Sequence, residues 1–206
     1  MAGGRKREFD KQDALNSAMK VFWKKGFLGA SLSDLTQGMG INKPSMYATF
    51  GNKEDLFLEA TKYYLEHHAK SHTNYLYESG IELSDRIRNY LTSVVAAQCD
   101  AMNPKGCYIS LCVAEAAGDC MPDNARAIID EAGTYAVTLL TELLQQDDEA
   151  QALQLTKSAA EKALFLVTIL HGTASMARAG KTLTELEPII DYAMLGLNFP
   201  VITYAE

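Results

Sequence analysis

The stretch Ser31 to Lys53, SLSDLTQGMGINKPSMYATFGNK, carries start and stop signals dense enough to set its own local fold. Ser31 is placed to cap a first helix with Asp34 at the third helical position, an arrangement close to a capping box. Leu35 and Met39 fall on one face at i, i+4, and Gly38 with Gly40 marks where that helix ends. Asn42 is a good cap for a second helix. Pro44 is tolerated only in a first turn, where its missing N–H has no helical acceptor to lose. The turn therefore lies near Gly40 to Asn42. The second helix, Lys43 to Thr49, buries Met46 and Phe50 and leaves Lys43, Ser45, Tyr47 and Thr49 to point elsewhere. It ends at Gly51, and Asn52 caps a third helix whose first turn sets Glu54 and Asp55 at the positive end of a helix dipole. Helix, short Gly-containing turn, helix is the DNA-binding helix-turn-helix pattern, whose second helix enters the major groove. On spacing alone, an ordinary helical hairpin stays open beside it.

Charge separates along the chain in the same sense. The net charge is -7, yet nine basic and four acidic side chains give +5 through Lys53, which leaves -12 on the remainder. A basic head on an acidic body suits a protein that meets phosphate with one end. The arm Met1 to Glu8, with Arg5, Lys6 and Arg7, reads as a solvated tail, with a phosphate or minor-groove contact as the alternative. A composition of 48% hydrophobic and 22% charged residues fits a soluble globular chain. No apolar run approaches the roughly 20 residues of a membrane span, and no hydrophobic segment follows the basic start as in a signal peptide. The expected place is the cytoplasm, without membrane contact. Cys99, Cys107, Cys112 and Cys120 are too few and too clustered for a disulfide framework, so reduced thiols are expected.

Upstream of the opening stretch, Asp10 to Gly26 keeps Leu15, Ala18, Met19, Phe22 and Trp23 at helical spacing, with Asp10 as cap and Gly26 as stop. Downstream, Asn52 to about Ser79 reads as one long helix. Helices are then expected over Glu82 to Met102, Cys107 to Ala117, Asp123 to about Gln146, Gln151 to Ala179 and Leu183 to Asn198. Ala159, Ala163, Gly172 and Ala174 let another helix approach the penultimate one closely. The last two helices are expected to form a four-helix dimer interface with a symmetry mate, the alternative being that they complete the monomer's core. The fold is thus expected to be all-α with about nine helices. A helix-turn-helix domain is placed at 8–54, its helix-turn-helix at 31–50, and a helical ligand-binding and dimerisation domain at 55–206.

Taken together, GFLGASLSDLTQGMGINKPSMYATFGNKEDLF resembles the tetracycline-repressor (TetR) family of bacterial transcription regulators. Gly40, Lys43, Tyr47, Phe50 and the Lys53-to-Leu56 entry to a long helix carry the likeness, which covers roughly the first 60 residues. The resemblance implies a homodimer that binds a palindromic operator in double-stranded DNA, usually represses, and lets go when a small molecule enters the body. Carried over by position, it places Ser33, Lys43, Pro44, Ser45, Tyr47, Thr49 and Lys53 at the DNA. Their chemistry suggests Lys43 for a guanine edge, Pro44 and Ser45 for a thymine methyl or base edge, and Tyr47, Thr49 and Lys53 for phosphate.

The signal is less legible. Tyr63, Tyr64, Tyr90, Tyr108, Tyr135 and Phe165 are able to line an apolar pocket, as well as to be plain core. Cys107 follows Pro104-Lys105-Gly106 at a helix start, where the helix dipole and Lys105 both favour a thiolate that reacts with an electrophile or oxidant; a buried inert thiol is the alternative. The resemblance adds that Gly-Cys at this place is similar to a branch of the family that senses reactive species. The candidate inducer or redox site is therefore Cys107, Tyr108, Cys112, Tyr135 and Phe165. His68 and His72 have the i, i+4 spacing of metal ligands, but no acidic or thiol partner lies near them in sequence, so they are assigned to a solvated face. No metal or cofactor is expected. The chain lacks a Gly-rich phosphate loop, a nucleophile elbow and zinc spacing, which argues against an enzyme. The competing reading is a helical protein-interaction module without DNA activity.

Overall fold

Asp10 opens the first helix by accepting hydrogen bonds from the N–H groups of Gln12 and Asp13. The computed structural model describes residues 9–118 and 120–197, so the basic arm and Asn198 lie outside the described residues. Helix α1 (Lys11–Gly29) buries Ala18, Met19, Phe22 and Trp23. It does not stop at Gly26 as expected: that residue sits at φ 74°, ψ 176°, and one more turn follows the break. Helix α2 (Leu32–Met39) has the full capping box, with the Asp34 N–H on the Ser31 hydroxyl at 3.1 Å and the Ser31 N–H on the Asp34 carboxylate at 3.0 Å. Asn42 caps α3 (Lys43–Phe50) by accepting from the Ser45 N–H at 2.8 Å, and Asn52 forms a second capping box with Asp55 at the start of α4 (Lys53–Tyr64). Each cap satisfies backbone donors that a helix start leaves unpaired.

Beyond Tyr64 the rod continues, but not as one α-helix. A π-helical turn, Leu65–Ala69, leads into α5 (Lys70–Thr73) and a 3-10 turn, Asn74–Tyr77. Then come α6 (Leu83–Cys99), α7 (Tyr108–Ala116) and α8 (Asp123–Gln146). The expected helix from Gln151 to Ala179 is also divided. A short α9 (Asp148–Ala152) closes with Gln154 at φ 58°, and α10 begins only at Ala159, running to Arg178. Helix α11 (Leu183–Gly196) ends the described chain. Every described element is helical, and among the described residues no helix is long and apolar enough to cross a membrane.

The core forms two clusters. One joins α1 to α4 with α7 and the first half of α8, and the other joins α6, the second half of α8, α10 and α11. Tyr108 holds the first together: it is fully buried, with its ring centroid 4.9 Å from Tyr64 and 6.1 Å from Phe57. Burying rings of this size contributes roughly 1.5–3 kcal/mol each. The N-terminal helices therefore rest directly on α7.

Candidate nucleic-acid interface and buried cavity

Helix α3 is short, and its two faces differ completely. Met46 and Phe50 are buried, while Lys43, Pro44, Tyr47 and Ala48 are exposed, Tyr47 to 48%. An aromatic ring left that open beside a lysine one turn away is a contact surface without a partner inside the fold. Ser33 is exposed on α2, and Ser45 and Thr49 are half-buried at the edges of the same surface. Lys53 sits differently from the rest. Its ammonium lies 4.6 Å from the centre of the Phe27 ring, and partial burial lowers its pKa.

The joint between these helices and the body is polar at its centre. The Glu115 carboxylate, on α7, accepts from the Phe27 N–H at 2.7 Å and also from the N–H of Leu28. It thereby caps the turn that restarts after Gly26. Any Cβ at Gly26 would stand 2.1 Å from that carboxylate, so the close approach needs glycine. On the other side, the Trp23 indole N–H donates to the Gly106 carbonyl at 3.2 Å, and Arg178 donates to the Trp23 carbonyl at 3.2 Å. Gly106 has φ 81°, and a Cβ there would lie 2.7 Å from the Ala174 carbonyl oxygen.

Behind that joint lies a cavity of about 130 Å³, walled by α1, the π-helical turn, α5, α6, α8 and α10 together with the residues around Cys107. Trp23, Tyr64, His68, His72, Tyr90, Cys107, Tyr135 and His171 line it. Burial lowers the pKa of His68, His72 and His171, with Lys20 and His67 adding to the effect at His68 and His68 at His72. The Gln98 amide is already used, donating to the Leu170 carbonyl at 3.0 Å and accepting from Thr173 at 2.8 Å. Tyr90 is 4% exposed, its hydroxyl has no hydrogen-bond partner among the described residues, and burial pushes its pKa up to about 12. The Cys107 Sγ lies 3.6 Å from the Tyr64 hydroxyl.

Residues 14–60 match the family model described as bacterial regulatory proteins, tetR family. Over the full length, the chain is similar to a cysteine-substituted variant of the TetR family transcriptional regulator CifR, solved with a 26-base-pair operator DNA. The two share 30% identity over 96% of this chain and 100% of that one, with a TM-score of 0.86. The chain belongs to the TetR family. The repressor ComR of Escherichia coli (strain K12) is 28% identical over 196 residues, covering 90% of this chain and 88% of ComR. An uncharacterized regulator of Bacillus subtilis (strain 168), YezE, is 40% identical over 106 residues, covering 52% of this chain and 54% of YezE. This TetR-family chain is a DNA-binding transcriptional regulator and not an enzyme.

Within this TetR-family fold, the candidate signal residues separate. Cys107 and Tyr135 line the cavity. Tyr108 lies behind the wall with its hydroxyl 2.8 Å from Thr61, and Cys112 is buried, its thiol pKa pushed well up by that burial. Phe165 stands on α10 against Gly196 and is not among the lining residues. Cys107 is the residue before α7, as its Gly-Cys context suggested, whereas Lys105 donates to the carbonyl of Cys99. The solvated face assigned to His68 and His72 is a cavity wall instead: both follow buried Tyr64 at helical spacing, and the His68 ring lies 5.5 Å from Tyr64 and 5.4 Å from Trp23. Sequence reasoning missed Trp23 and His171 as lining residues and Glu115 as a cap. None of these has a local signal, since each acts on a segment distant in sequence.

Proposed function

We propose that this regulator acts as a repressor, binding a palindromic operator as a homodimer and leaving it when a small molecule enters the cavity. The observation that carries the DNA reading is the outward face of α3, where Lys43, Pro44 and Tyr47 are exposed above buried Met46 and Phe50. Lys43 reads a guanine edge, Pro44 and Ser45 meet a base edge or thymine methyl, Tyr47, Thr49 and Lys53 hold phosphate, and Ser33 lies at the DNA beside them. Lys53 leaves the Phe27 ring to do so. Residues 8–54 serve as the reading domain and 55–206 as the ligand-binding and dimerisation domain, in the cytoplasm. Support for the dimer comes from the outer side of α10 and α11, where Leu164 is 58%, Leu195 48% and Tyr192 70% exposed.

Two recognition helices in such a dimer stand about 34–36 Å apart, one turn of DNA. A ligand that shifts α4 relative to its mate by a few ångströms breaks that register. Coupling of this kind is typically about 1–3 kcal/mol, or tens of fold in affinity. A reactive electrophile that adds to Cys107 at the cavity wall is a second form of inducer.

Gel shift with the DNA upstream of its own gene tests the reading. The expected result is specific binding that weakens steeply with salt. Lys43→Ala and Tyr47→Ala should abolish it while leaving the helical content intact. Absence of binding at every salt concentration would leave a helical interaction module as the better reading.

A further inference from the structure

The cavity is small and its lining is uncharged. Among the described residues lining it there is no Asp, Glu, Lys or Arg. Its three imidazoles are half-buried and their pKa values are lowered by that partial burial, so they are neutral at neutral pH. An ion entering this space would lose part of its hydration and find no charged side chain in the lining. The walls are aromatic on several sides, through Trp23, Tyr64, Tyr90 and Tyr135. The volume of about 130 Å³ is close to the roughly 150 Å³ of an engineered apolar cavity that holds benzene.

Among the hydroxyl groups of the lining, that of Tyr90 is carried by the most deeply buried residue. Tyr90 is more than nine-tenths buried and lines the cavity, and its hydroxyl opens onto that space without a hydrogen bond to another described residue. A buried hydroxyl in that condition is satisfied by whatever fills the space beside it. Neutral imidazoles at His68 and His171 add further donor and acceptor atoms to the wall.

We propose that the cavity binds an uncharged, single-ring aromatic compound bearing a hydroxyl or carbonyl oxygen, with Tyr90 as its hydrogen-bond partner. This deepens the reading of the cavity as the inducer site and rests on it. A neighbouring depression shares Leu65, Ala132 and Tyr135 with the cavity. The depression carries Lys62 and Lys70 against Glu66 and Glu131, so it favours neither sign, and discrimination against ions is left to the uncharged lining of the cavity. Tyr135, 45% exposed, stands between the two spaces.

Trp23 is the chain's only tryptophan and lies in the cavity wall, so its fluorescence reports occupancy directly. The full-length protein is titrated at neutral pH with benzyl alcohol, toluene, benzoate and benzylammonium. Benzyl alcohol is expected to give a saturable change, and both ions to bind at least about tenfold more weakly. Tyr90→Phe removes only a hydroxyl that the protein does not use, so folding is retained. It should weaken benzyl alcohol on the order of fivefold and leave toluene unchanged. The proposal is overturned if either ion binds as tightly as benzyl alcohol, if Tyr90→Phe leaves that affinity unchanged, or if no ring compound saturates. Gel shift on the same samples keeps the two readings apart. Binding of benzyl alcohol that leaves operator DNA bound supports the ligand class and counts against the inducer role.

Discussion

Glu115 on α7 and the Phe27 N–H on α1 meet at 2.7 Å, 88 residues apart in sequence, at the break that Gly26 makes in α1. The carboxylate serves as a helix cap supplied by the body to the DNA-reading end. Replacing it with alanine strands the N–H groups of Phe27 and Leu28 in a half-buried place, at a cost of about 1–3 kcal/mol. Glu115→Gln keeps an acceptor and should cost less than half as much. Urea unfolding followed by Trp23 fluorescence measures both. Equal losses in the two variants would show that acceptance by the side chain is not what matters.

The cavity histidines make a prediction about acid. His68, His72 and His171 have folded pKa values below the ordinary value of 6.5, so the unfolded chain takes up protons first as pH falls. Stability is then complete above about pH 6.5 and declines as pH drops through the folded values. Glu115, whose pKa burial raises, contributes in the opposite sense. The urea midpoint should therefore decrease between about pH 7.5 and 5.5, and less so in His171→Gln. A midpoint that rises on acidification would contradict the burial of neutral imidazoles.

Oligomeric state follows from the outer side of α10 and α11. Leu164 and Tyr192 are the most exposed large apolar side chains there, at 58% and 70%. A stable dimer needs roughly 800 Å² from each partner, which a face of this kind is suited to supply. Leu164→Glu with Tyr192→Glu should give a folded monomer by light scattering and weaken operator binding by tenfold or more. A dimer that persists in the double variant would place the interface elsewhere.

The cysteines should separate by reactivity. The Cys107 thiol makes no cap hydrogen bond to α7 and lies against the cavity, Cys120 is exposed, and Cys112 is buried with its thiol pKa pushed up. A brief dose of a thiol alkylator on native protein, read by mass spectrometry, is expected to label Cys107 faster than a free-thiol peptide. Cys112 should react only after unfolding. Labelling of Cys107 no faster than the peptide would remove it as an electrophile sensor.

Residues 31–56 were legible because their determinants are local. Ser31 with Asp34, Asn42 with Ser45, and Asn52 with Asp55 are pairs three residues apart whose bonds form within one helical turn. The division of the expected helix after Gln151 was not legible, because Gln154, not a glycine, holds the left-handed conformation that closes α9. The cavity wall at His68 and His72 was hidden for a different reason: the α6, α8 and α10 residues that face them are distant in sequence. By itself, then, the sequence determined the all-α class, the capped helix-turn-helix and which side chains of α3 face outward, since each depends on neighbours within a turn. Only the tertiary structure decided the cavity, the Tyr90 hydroxyl that opens onto it and the Glu115 cap on α1. Those depend on α1, α6, α7 and α10 meeting in space, which no short-range pattern encodes.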